Sequence, residues 1–430
     1  MKAIINARIY DFNTYQEDMY IVFDKEIIDV GKMKDYKNND YEEIDAKNSL
    51  VLPGLVNAHS HIYSTFARGM SVPFNPKNFI EILEQLWWKL DSNLTNEMTY
   101  YSGIVSASEY IKNGVTTIID HHASGEIIDS LCSLKKALND TAHMRSSLCF
   151  ETSDRFNIKD CIEENISFIS KNNDDFSNGM FGLHAAFTLS EETLVKVSKV
   201  LNGKPIHIHV AESIMDQDFS IHKYNERVVS RLNRHNLINK NSIITHGLYL
   251  SDEELDIIKE KEAVIAVNVN SNMNNSVGLP PVTRFMDKGI KVVIGNDGIS
   301  QSMTNEYQAL YFTMHHVDKT PTKFGYDSLL KVINDTYEFA GELFGIKLGK
   351  IKEGYKADLV ILPYNEPTPL NNDNIFGHFL FGLFNDFRPK DVYINGDNVL
   401  FNYQTNDKLQ QEYNKASQVA QKLWNKMKGE

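Results

Sequence analysis

Eight short apolar segments recur along the chain, and they constrain its fold more than any other feature. They are rich in β-branched residues and are separated by stretches with helical periodicity, which predicts repeated β-α units around a parallel sheet. The segments are Leu50–Ala58, Thr116–Asp120, Met144–Phe150, Met180–Phe187, Pro205–Val210, Ser242–Thr245, Ala263–Val269 and Lys291–Ile294. Eight such units over roughly 290 residues predict an α/β fold with a (β/α)8 TIM-type barrel.

A doubly wound sheet is the rival architecture for this pattern. That fold binds its ligand at one switch point, usually through a Gly-rich phosphate loop, and no G-x-G-x-x-G motif follows any of the segments. Polar residues instead follow many of the segments at their C-terminal ends, where barrel enzymes carry their active sites. Between the segments, Ser251 is followed three residues later by Glu254, a pattern typical of a capped helix start. The barrel is therefore the preferred prediction.

The two ends of the chain differ from its middle. In residues 1–56 and 348–403 polarity alternates between turn signals, as in Ala357–Ile361 and Val392–Asn395. Neither end alone is large enough to bury a sheet face, so the two are predicted to pair into one small β-sandwich. The barrel then spans residues 57–347, and residues 404–430 are predicted to form a terminal amphipathic helix.

Charge and composition exclude several classes of function. A net charge of −13 without any block of basic residues argues against a nucleic-acid partner. No apolar run reaches the length of a membrane span, and the N-terminal segment lacks the apolar core of a secretory signal. Cys132, Cys149 and Cys161 have no Cys-x-x-Cys spacing and fit reduced packing residues. These features predict a cytoplasmic protein with a small-molecule partner and no membrane partner.

The connection between the first and second segments is unusually long and contains Asn78–Leu90 with Trp87 and Trp88. A long excursion over a barrel mouth is usually functional and often a lid. Aromatic stacking on a flat substrate and plain packing against the barrel demand the same side chain, so both interpretations stay open. Trp88 is accordingly a candidate substrate-binding residue.

His59 and His61 directly follow the first segment and are the strongest chemical signal in the sequence. In an extended segment, side chains two residues apart point to the same side, so both imidazoles can share one ion. His209, His246 and Asp297 end the fifth, sixth and eighth segments. Burying five such groups unpaired at one barrel face would cost several kcal/mol, so the set indicates a metal site rather than packing.

This combination of His-x-His and strand-end residues resembles the amidohydrolase superfamily, and within it the aminohydrolase and deaminase branch that includes relatives of atrazine chlorohydrolase and guanine deaminase. The resemblance covers essentially the whole chain. It implies that His59, His61, His209 and Asp297 bind the metal and that His246 lies beside the attacking water. Glu212 follows His209 by three residues, as in the His-x-x-Glu of that branch, and would protonate the substrate nitrogen.

The resemblance also implies further substrate contacts and the number of ions. His184 ends the fourth segment, where the branch often has a substrate-contacting histidine, although its neighbours depart from the usual Pro-His-Ala-Pro-Tyr. His121 and His122 end the second segment and are candidate substrate contacts, one facing the barrel mouth and the other the helical layer. Residues 180–188 contain no Lys, which hydantoinases of the superfamily use to bridge two metals, so one divalent ion is expected.

The implied reaction is hydrolysis of a C–N bond other than a peptide bond, with deamination of a small nitrogen heterocycle as the preferred case. A bound ion lowers the pKa of its water from about 15.7 towards roughly 7. The ligand set favours zinc, with iron as the alternative. The resemblance also implies a homodimer. Loss of another leaving group, opening of a cyclic amide, or a barrel that serves only as a scaffold are the competing interpretations.

Overall fold

The computed structural model describes residues 1–429, which contain eighteen strands and fifteen α-helices. The strands are β1 (Lys2–Tyr10), β2 (Tyr15–Phe23), β3 (Ile27–Lys32), β4 (Glu42–Asp45), β5 (Leu50–Pro53), β6 (Leu55–Ser60), β7 (Val115–His122), β8 (Arg145–Phe150), β9 (Ser177–Gly179), β10 (Phe181–Ala185), β11 (Ile206–Val210), β12 (Ile243–His246), β13 (Val264–Val267), β14 (Val292–Ile294), β15 (Leu359–Leu362), β16 (Asp391–Ile394), β17 (Asp397–Phe401) and β18 (Gln404–Thr405).

The helices alternate with the central strands, as the sequence pattern predicts. They are α1 (Phe79–Ile82), α2 (Trp88–Asn93), α3 (Asn96–Lys112), α4 (Ser130–Lys135), α5 (Ile158–Lys171), α6 (Glu191–Leu201), α7 (Ile214–Tyr224), α8 (Val228–Arg234), α9 (Asp252–Glu260), α10 (Val269–Asn274), α11 (Val282–Asp287), α12 (Met303–Asp318), α13 (Tyr326–Phe344), α14 (Ile375–Phe381) and α15 (Asp407–Lys428). None of the helices in residues 1–429 has both the length and the apolar character needed to cross a bilayer.

The central strands form two parallel sheets, β6 to β9 and β10 to β14. Hydrogen bonds join these sheets at both ends. The N–H groups of Asn296 and Asp297 each donate to the carbonyl oxygen of His59 at 3.1 Å, which links β14 to β6. The N–H of Thr152 donates to the carbonyl oxygen of Gly182 at 3.1 Å, which links β8 to β10. The predicted eight-stranded barrel is confirmed, and β9 is a short addition beside β8.

The helix α9 shows how local sequence sets the outer layer of the barrel. The side chain of Ser251 accepts a hydrogen bond from the N–H of Glu254 at 3.3 Å, and the Glu254 carboxylate accepts one from the N–H of Ser251 at 3.0 Å. This is the predicted capping box. Leu255 and Ile258, three residues apart on one face, are completely buried. Burying each stabilises the fold by about 1.5–3 kcal/mol.

Both chain ends enter one nine-stranded sheet in the order β18-β17-β16-β15-β5-β1-β2-β3, with β4 paired to β1. The link between the ends is the antiparallel pair β5 and β15, in which Val51 lies opposite Ile361. The first apolar segment therefore contains two strands, since β5 belongs to this terminal sheet and β6 to the barrel. Gly54 separates them, and a Cβ atom there would lie 2.2 Å from Thr116 Cγ2. The boundaries at residues 56 and 348 stay a prediction.

The last helix, α15, packs against α3 and against the connection that follows β6. Leu423 is completely buried, and Val419 nearly so, in a cluster that includes Phe66 and Leu90. The indole N–H of Trp424 donates to the carbonyl oxygen of Phe66 at 2.7 Å. The C-terminal helix therefore supports the long connection over the barrel mouth.

Candidate metal centre and active site

The four residues predicted as metal ligands meet at the carboxyl ends of the barrel strands. His59 and His61 lie at the end of β6, His209 lies in β11, and Asp297 follows β14. One ligand atom from each lies within 4.8 Å of the others. Nε2 of His61 is 3.0 Å from Nε2 of His209 and 3.1 Å from Oδ1 of Asp297. Nε2 of His59 is 3.6 Å from the same Asp297 oxygen.

Each of the three imidazoles is oriented by a contact at its other nitrogen. Nδ1 of His61 lies 2.7 Å from the carbonyl oxygen of His121, and Nδ1 of His209 lies 2.8 Å from that of His184. A carbonyl oxygen can only accept a hydrogen bond, so both Nδ1 atoms carry a hydrogen, and in the neutral form of each ring Nε2 presents a lone pair. Outer contacts of this kind orient the histidine ligands of metal sites.

The remaining predicted ligand, His59, has a buried nitrogen without a hydrogen-bond partner. Its Nδ1 is 2.8 Å from Nε2 of His207, whereas its Nε2 is completely buried and has no hydrogen-bond partner. An unpartnered buried nitrogen is costly unless a ligand satisfies it. Three imidazoles and one carboxylate around this point fit a divalent metal ion.

His246 and Glu212 both lie beside Asp297. Nε2 of His246 is 3.5 Å from Oε2 of Glu212 and 3.8 Å from Oδ2 of Asp297. The Asn272 amide lies 3.0 Å from Nδ1 of His246, and the Asn275 amide donates to Glu212 at 3.1 Å. Burial, together with the charge of Asp297, raises the pKa of Glu212 to about 8. Burial therefore favours the protonated form of the Glu212 carboxyl group.

Two of these residues have an unusual backbone conformation. The φ angles are +74° at His246 and +56° at Asp297, in the left-handed region that non-glycine residues rarely adopt. Such a conformation costs of order 1–3 kcal/mol and tends to occur at functional sites. Here it turns both side chains toward the same point at the end of the barrel.

A cavity of about 320 Å³ opens above this cluster. Its floor includes His61, His209 and Asp297, and its roof comes from the long connection between β6 and β7. The roof contributes mostly apolar side chains, among them Trp87 and the predicted substrate-binding residue Trp88. An apolar enclosure with a few convergent polar groups is typical of a small-molecule site.

An ion pair between Asp91 of α2 and Arg155, which follows β8, connects the roof to the barrel. The Arg155 guanidinium donates to both Asp91 oxygens, at 3.3 and 2.9 Å. It also lies 4.9 Å from the ring centre of Trp88 and 4.7 Å from that of Phe156. Burial raises the pKa of Asp91 to about 7 although Arg155 lowers it. The position of Trp88 therefore depends on a partly buried charge pair.

The other predicted substrate contacts occupy different positions. His184 lines the cavity, with its ring 6.3 Å from that of Trp88. His121 and His122 are completely buried, and neither lines the cavity. His121 points into the barrel beside Glu151, whereas His122 contacts Thr99 of α3, so the two face opposite sides, but neither reaches the cavity at the barrel mouth. A substrate contact by either residue stays a prediction.

Sequence reasoning missed two residues that touch the site. Glu151 directly follows β8, lines the cavity and has an exposed fraction of 2%. It follows the third apolar segment, so the strand-end rule that identified Asp297 would also have identified it. His207 precedes His209 by two residues, and its Nε2 lies 2.8 Å from Nδ1 of His59. The alternation of the fifth strand was the available signal for His207.

The barrel and the cluster at its mouth define a metal-dependent hydrolase. The model of the Amidohydrolase family matches residues 50–399, and the chain belongs to that family. The predicted resemblance is thereby confirmed. Membership makes the protein a hydrolase that acts on carbon–nitrogen bonds other than peptide bonds.

Characterised relatives share nearly the full length of the chain. A 5'-deoxyadenosine deaminase of Methanocaldococcus jannaschii is 28% identical over 402 residues, covering 90% of this chain and 92% of the relative. A 5-methylthioadenosine/S-adenosylhomocysteine deaminase of Dictyoglomus turgidum is 27% identical over 394 residues, covering 89% of each. An adenosine deaminase structure from Xanthomonas campestris with bound zinc superimposes with a TM-score of 0.84 at 18% identity, covering 100% and 98%.

Proposed function

We propose that this chain is a zinc-dependent aminohydrolase that removes an amino group from a nitrogen heterocycle, with 6-aminopurine compounds as the first candidates. The observation that carries this proposal is the cluster of His246, Glu212 and Asp297, which shares Asp297 with the proposed ligand set. The purine preference is supported by the relatives, whose names describe deaminases of adenosine derivatives.

In this proposal His59, His61, His209 and Asp297 hold the ion. When bound, a divalent ion there acts as a Lewis acid and makes a water molecule acidic enough to give hydroxide near neutral pH. Zinc is proposed because neutral imidazoles with one carboxylate are its common ligands, and iron accepts the same set.

His246 and Asp297 position the attacking water, and the Asp297 carboxylate takes its proton. Nε2 of His246 and Oδ2 of Asp297 are 3.8 Å apart, which leaves one oxygen-sized position within reach of both. The Ser271 hydroxyl donates to the same Asp297 oxygen at 2.6 Å and fixes the orientation of the carboxylate. The attack is thereby directed at an sp2 carbon held in the cavity above the barrel.

Glu212 supplies the proton that the leaving nitrogen needs. Burial favours the protonated form of its carboxyl group, which lies 3.5 Å from Nε2 of His246, so the proton donor lies beside the proposed position of the water. Proton transfer to the ring or amino nitrogen allows the carbon–nitrogen bond to break, and ammonia leaves. The apolar roof with Trp88 suits a flat aromatic ring.

The test is an ammonia-release screen of zinc-loaded protein against adenosine derivatives, guanine, cytosine and aminotriazines. We expect release from at least one purine, and a loss of turnover of about 10²–10⁴-fold in Glu212→Gln with the metal content unchanged. Glu192→Gln is the matched control, since its side chain is 77% exposed. Full activity of Glu212→Gln would contradict the assigned role, and release of halide or a ring-opened acid without ammonia would contradict deamination.

A cytoplasmic location and a homodimer stay predictions. Cys132, Cys149 and Cys161 are all free, as a reducing compartment favours. Light scattering of the purified protein would measure its mass in solution and decide between monomer and dimer.

A further inference from the structure

We infer that the short helix α10 positions all three groups of the acid–base cluster, and that the buried carboxyl group of Glu306 in α12 holds this helix in place. The inference rests on the proposed function of that cluster, which consists of His246, Glu212 and Asp297. It gives a role to Glu306, a completely buried side chain that the proposed mechanism does not use. Because Glu306 acts through α10, it is a positioning residue.

Two side chains of α10 and its C-terminal cap each hold one oxygen of a carboxyl group in the cluster. The Ser271 hydroxyl donates to Oδ2 of Asp297 at 2.6 Å, and Oδ1 is directed at the proposed metal ligands. The Asn275 amide donates to Oε1 of Glu212 at 3.1 Å, and Oε2 lies 3.5 Å from Nε2 of His246. In both carboxyl groups, therefore, one oxygen is held by α10 and the other faces the site.

The third contact of α10 reaches the imidazole of the cluster. The Asn272 amide lies 3.0 Å from Nδ1 of His246, and both residues are completely buried. Asn275 follows Ser271 by four residues and Asn272 by three, a spacing that brings side chains to one side of a helix. A single helical turn therefore sets the positions of all three groups relative to one another.

Glu306 binds the start of this turn from outside the cluster. Its Oε1 accepts a hydrogen bond from the side-chain amide of Asn270 at 2.7 Å, and its Oε2 accepts one from the backbone N–H of the same residue at 3.5 Å. Glu306 does not line the cavity. A buried carboxyl group is costly unless hydrogen bonds satisfy it, and Asn270 supplies both of these bonds.

The position of Asn270 determines how a change at Glu306 reaches the site. Asn270 directly precedes Ser271, so Glu306 fixes α10 one residue before its first contact with the cluster. A displacement of about 1 Å at a catalytic group can lower a rate by about 100-fold even when the substitution lies far from the chemistry. We therefore expect Glu306 to affect turnover without contacting the substrate.

The first test compares Glu306→Leu, which removes the acceptor for Asn270, with Glu306→Gln, which retains one acceptor oxygen. We expect kcat for ammonia release to fall by about 10–100-fold in Glu306→Leu, with KM and metal content unchanged, and to recover for the most part in Glu306→Gln. Met273→Ala is the matched control and should keep the wild-type kcat, because this α10 side chain is 44% exposed. Circular dichroism checks folding, and Asn270→Ala replaces Glu306→Leu if the latter does not fold. A wild-type kcat in Glu306→Leu would overturn the inference.

Crystal structures of the wild-type chain and of Glu306→Leu test the positioning without any turnover. We expect the contact between Asn275 and Glu212 to lengthen beyond hydrogen-bond distance in Glu306→Leu and to remain in Met273→Ala. An unmoved Glu212 in Glu306→Leu overturns the inference and leaves the proposed function intact. A moved Glu212 in a chain whose wild type releases no ammonia supports positioning by Glu306 and contradicts the proposed function alone.

Discussion

The floor and the roof of the cavity are built on different physical principles. The floor consists of strand ends in the barrel, and each ligand histidine is oriented through its second nitrogen by a buried polar atom. The roof consists of short helices in the connection after β6, and apolar packing holds it together with one ion pair, Arg155 to Asp91. The floor is specified by directional contacts, whereas the roof is specified mainly by burial.

This difference separates the chemistry from the selection of substrate. Directional contacts fix atoms to within tenths of an ångström, which metal binding and proton transfer require. Apolar packing tolerates substitution at similar volume, so a roof can vary without disturbing the floor. We therefore expect floor substitutions to change metal content, and roof substitutions to change stability and substrate affinity while metal content stays constant.

The largest expected effect comes from replacing Asp297, which belongs to the proposed ligand set in the floor of the cavity. Asp297→Ala removes a proposed ligand and the acceptor beside His246, so turnover should disappear and metal content should fall by one equivalent. Metal analysis and ammonia release measure the two effects. Ser271→Ala, which removes only the hydroxyl that donates to Asp297, is the matched control and should retain its metal. Unchanged metal content in Asp297→Ala would remove Asp297 from the ligand set.

Arg155→Met removes the ion pair between Arg155 and Asp91 in the roof, and it should leave the metal content unchanged. It leaves Asp91 buried without its partner, which costs about 3 kcal/mol when that carboxylate is ionised. Burial raises the pKa of Asp91 to about 7, above its unfolded value, so below that pH Asp91 is protonated in both proteins and the difference vanishes.

Urea unfolding of Arg155→Met and the wild-type chain, at pH about 6 and about 9, measures this difference. The variant should lose stability only at the higher pH. Equal destabilisation at both values would mean that Arg155 holds the roof by stacking on Trp88 rather than through its charge.

The smallest expected effect concerns a positioning residue of the floor. His207→Leu removes the acceptor for Nδ1 of His59 and should weaken metal affinity by about 10–100-fold. His207→Gln keeps an acceptor on a side chain of similar reach and should recover part of that affinity. Competition with a chromophoric chelator measures both constants. Equal affinity in the two variants would show that His207 only fills space.

The sequence predicted the barrel well because its strands are buried on both faces and appear as apolar runs. It did not reveal that Leu50–Ala58 contains two strands. The separation depends on Gly54, where the backbone approaches the side chain of Thr116 too closely for any Cβ atom. That approach is a tertiary contact between residues far apart in sequence, so no local pattern reports it.

The proposed metal ligands could be selected from the sequence because they lie at or just after the ends of apolar segments. Which of His121 and His122 faces the barrel interior was not predictable, since a shift of one residue in strand register exchanges the two faces. Glu151 follows the third apolar segment and could have been identified by the same rule, whereas the importance of His207 comes from an imidazole that it meets across the barrel, that of His59. Contacts between strands decide which polar residues matter, and a single sequence contains no record of them.

The antiparallel pairing of β5 with β15 has a consequence for synthesis on the ribosome. Leu50–Pro53 emerges from the exit tunnel long before Leu359–Leu362, the strand that completes its sheet. Only Gly54 separates β5 from β6, which carries His59. Pairings between such distant segments form late in folding. A nascent polypeptide halted before residue 359 therefore carries the histidine pair directly after a strand, β5, whose sheet partner β15 has not yet been synthesised.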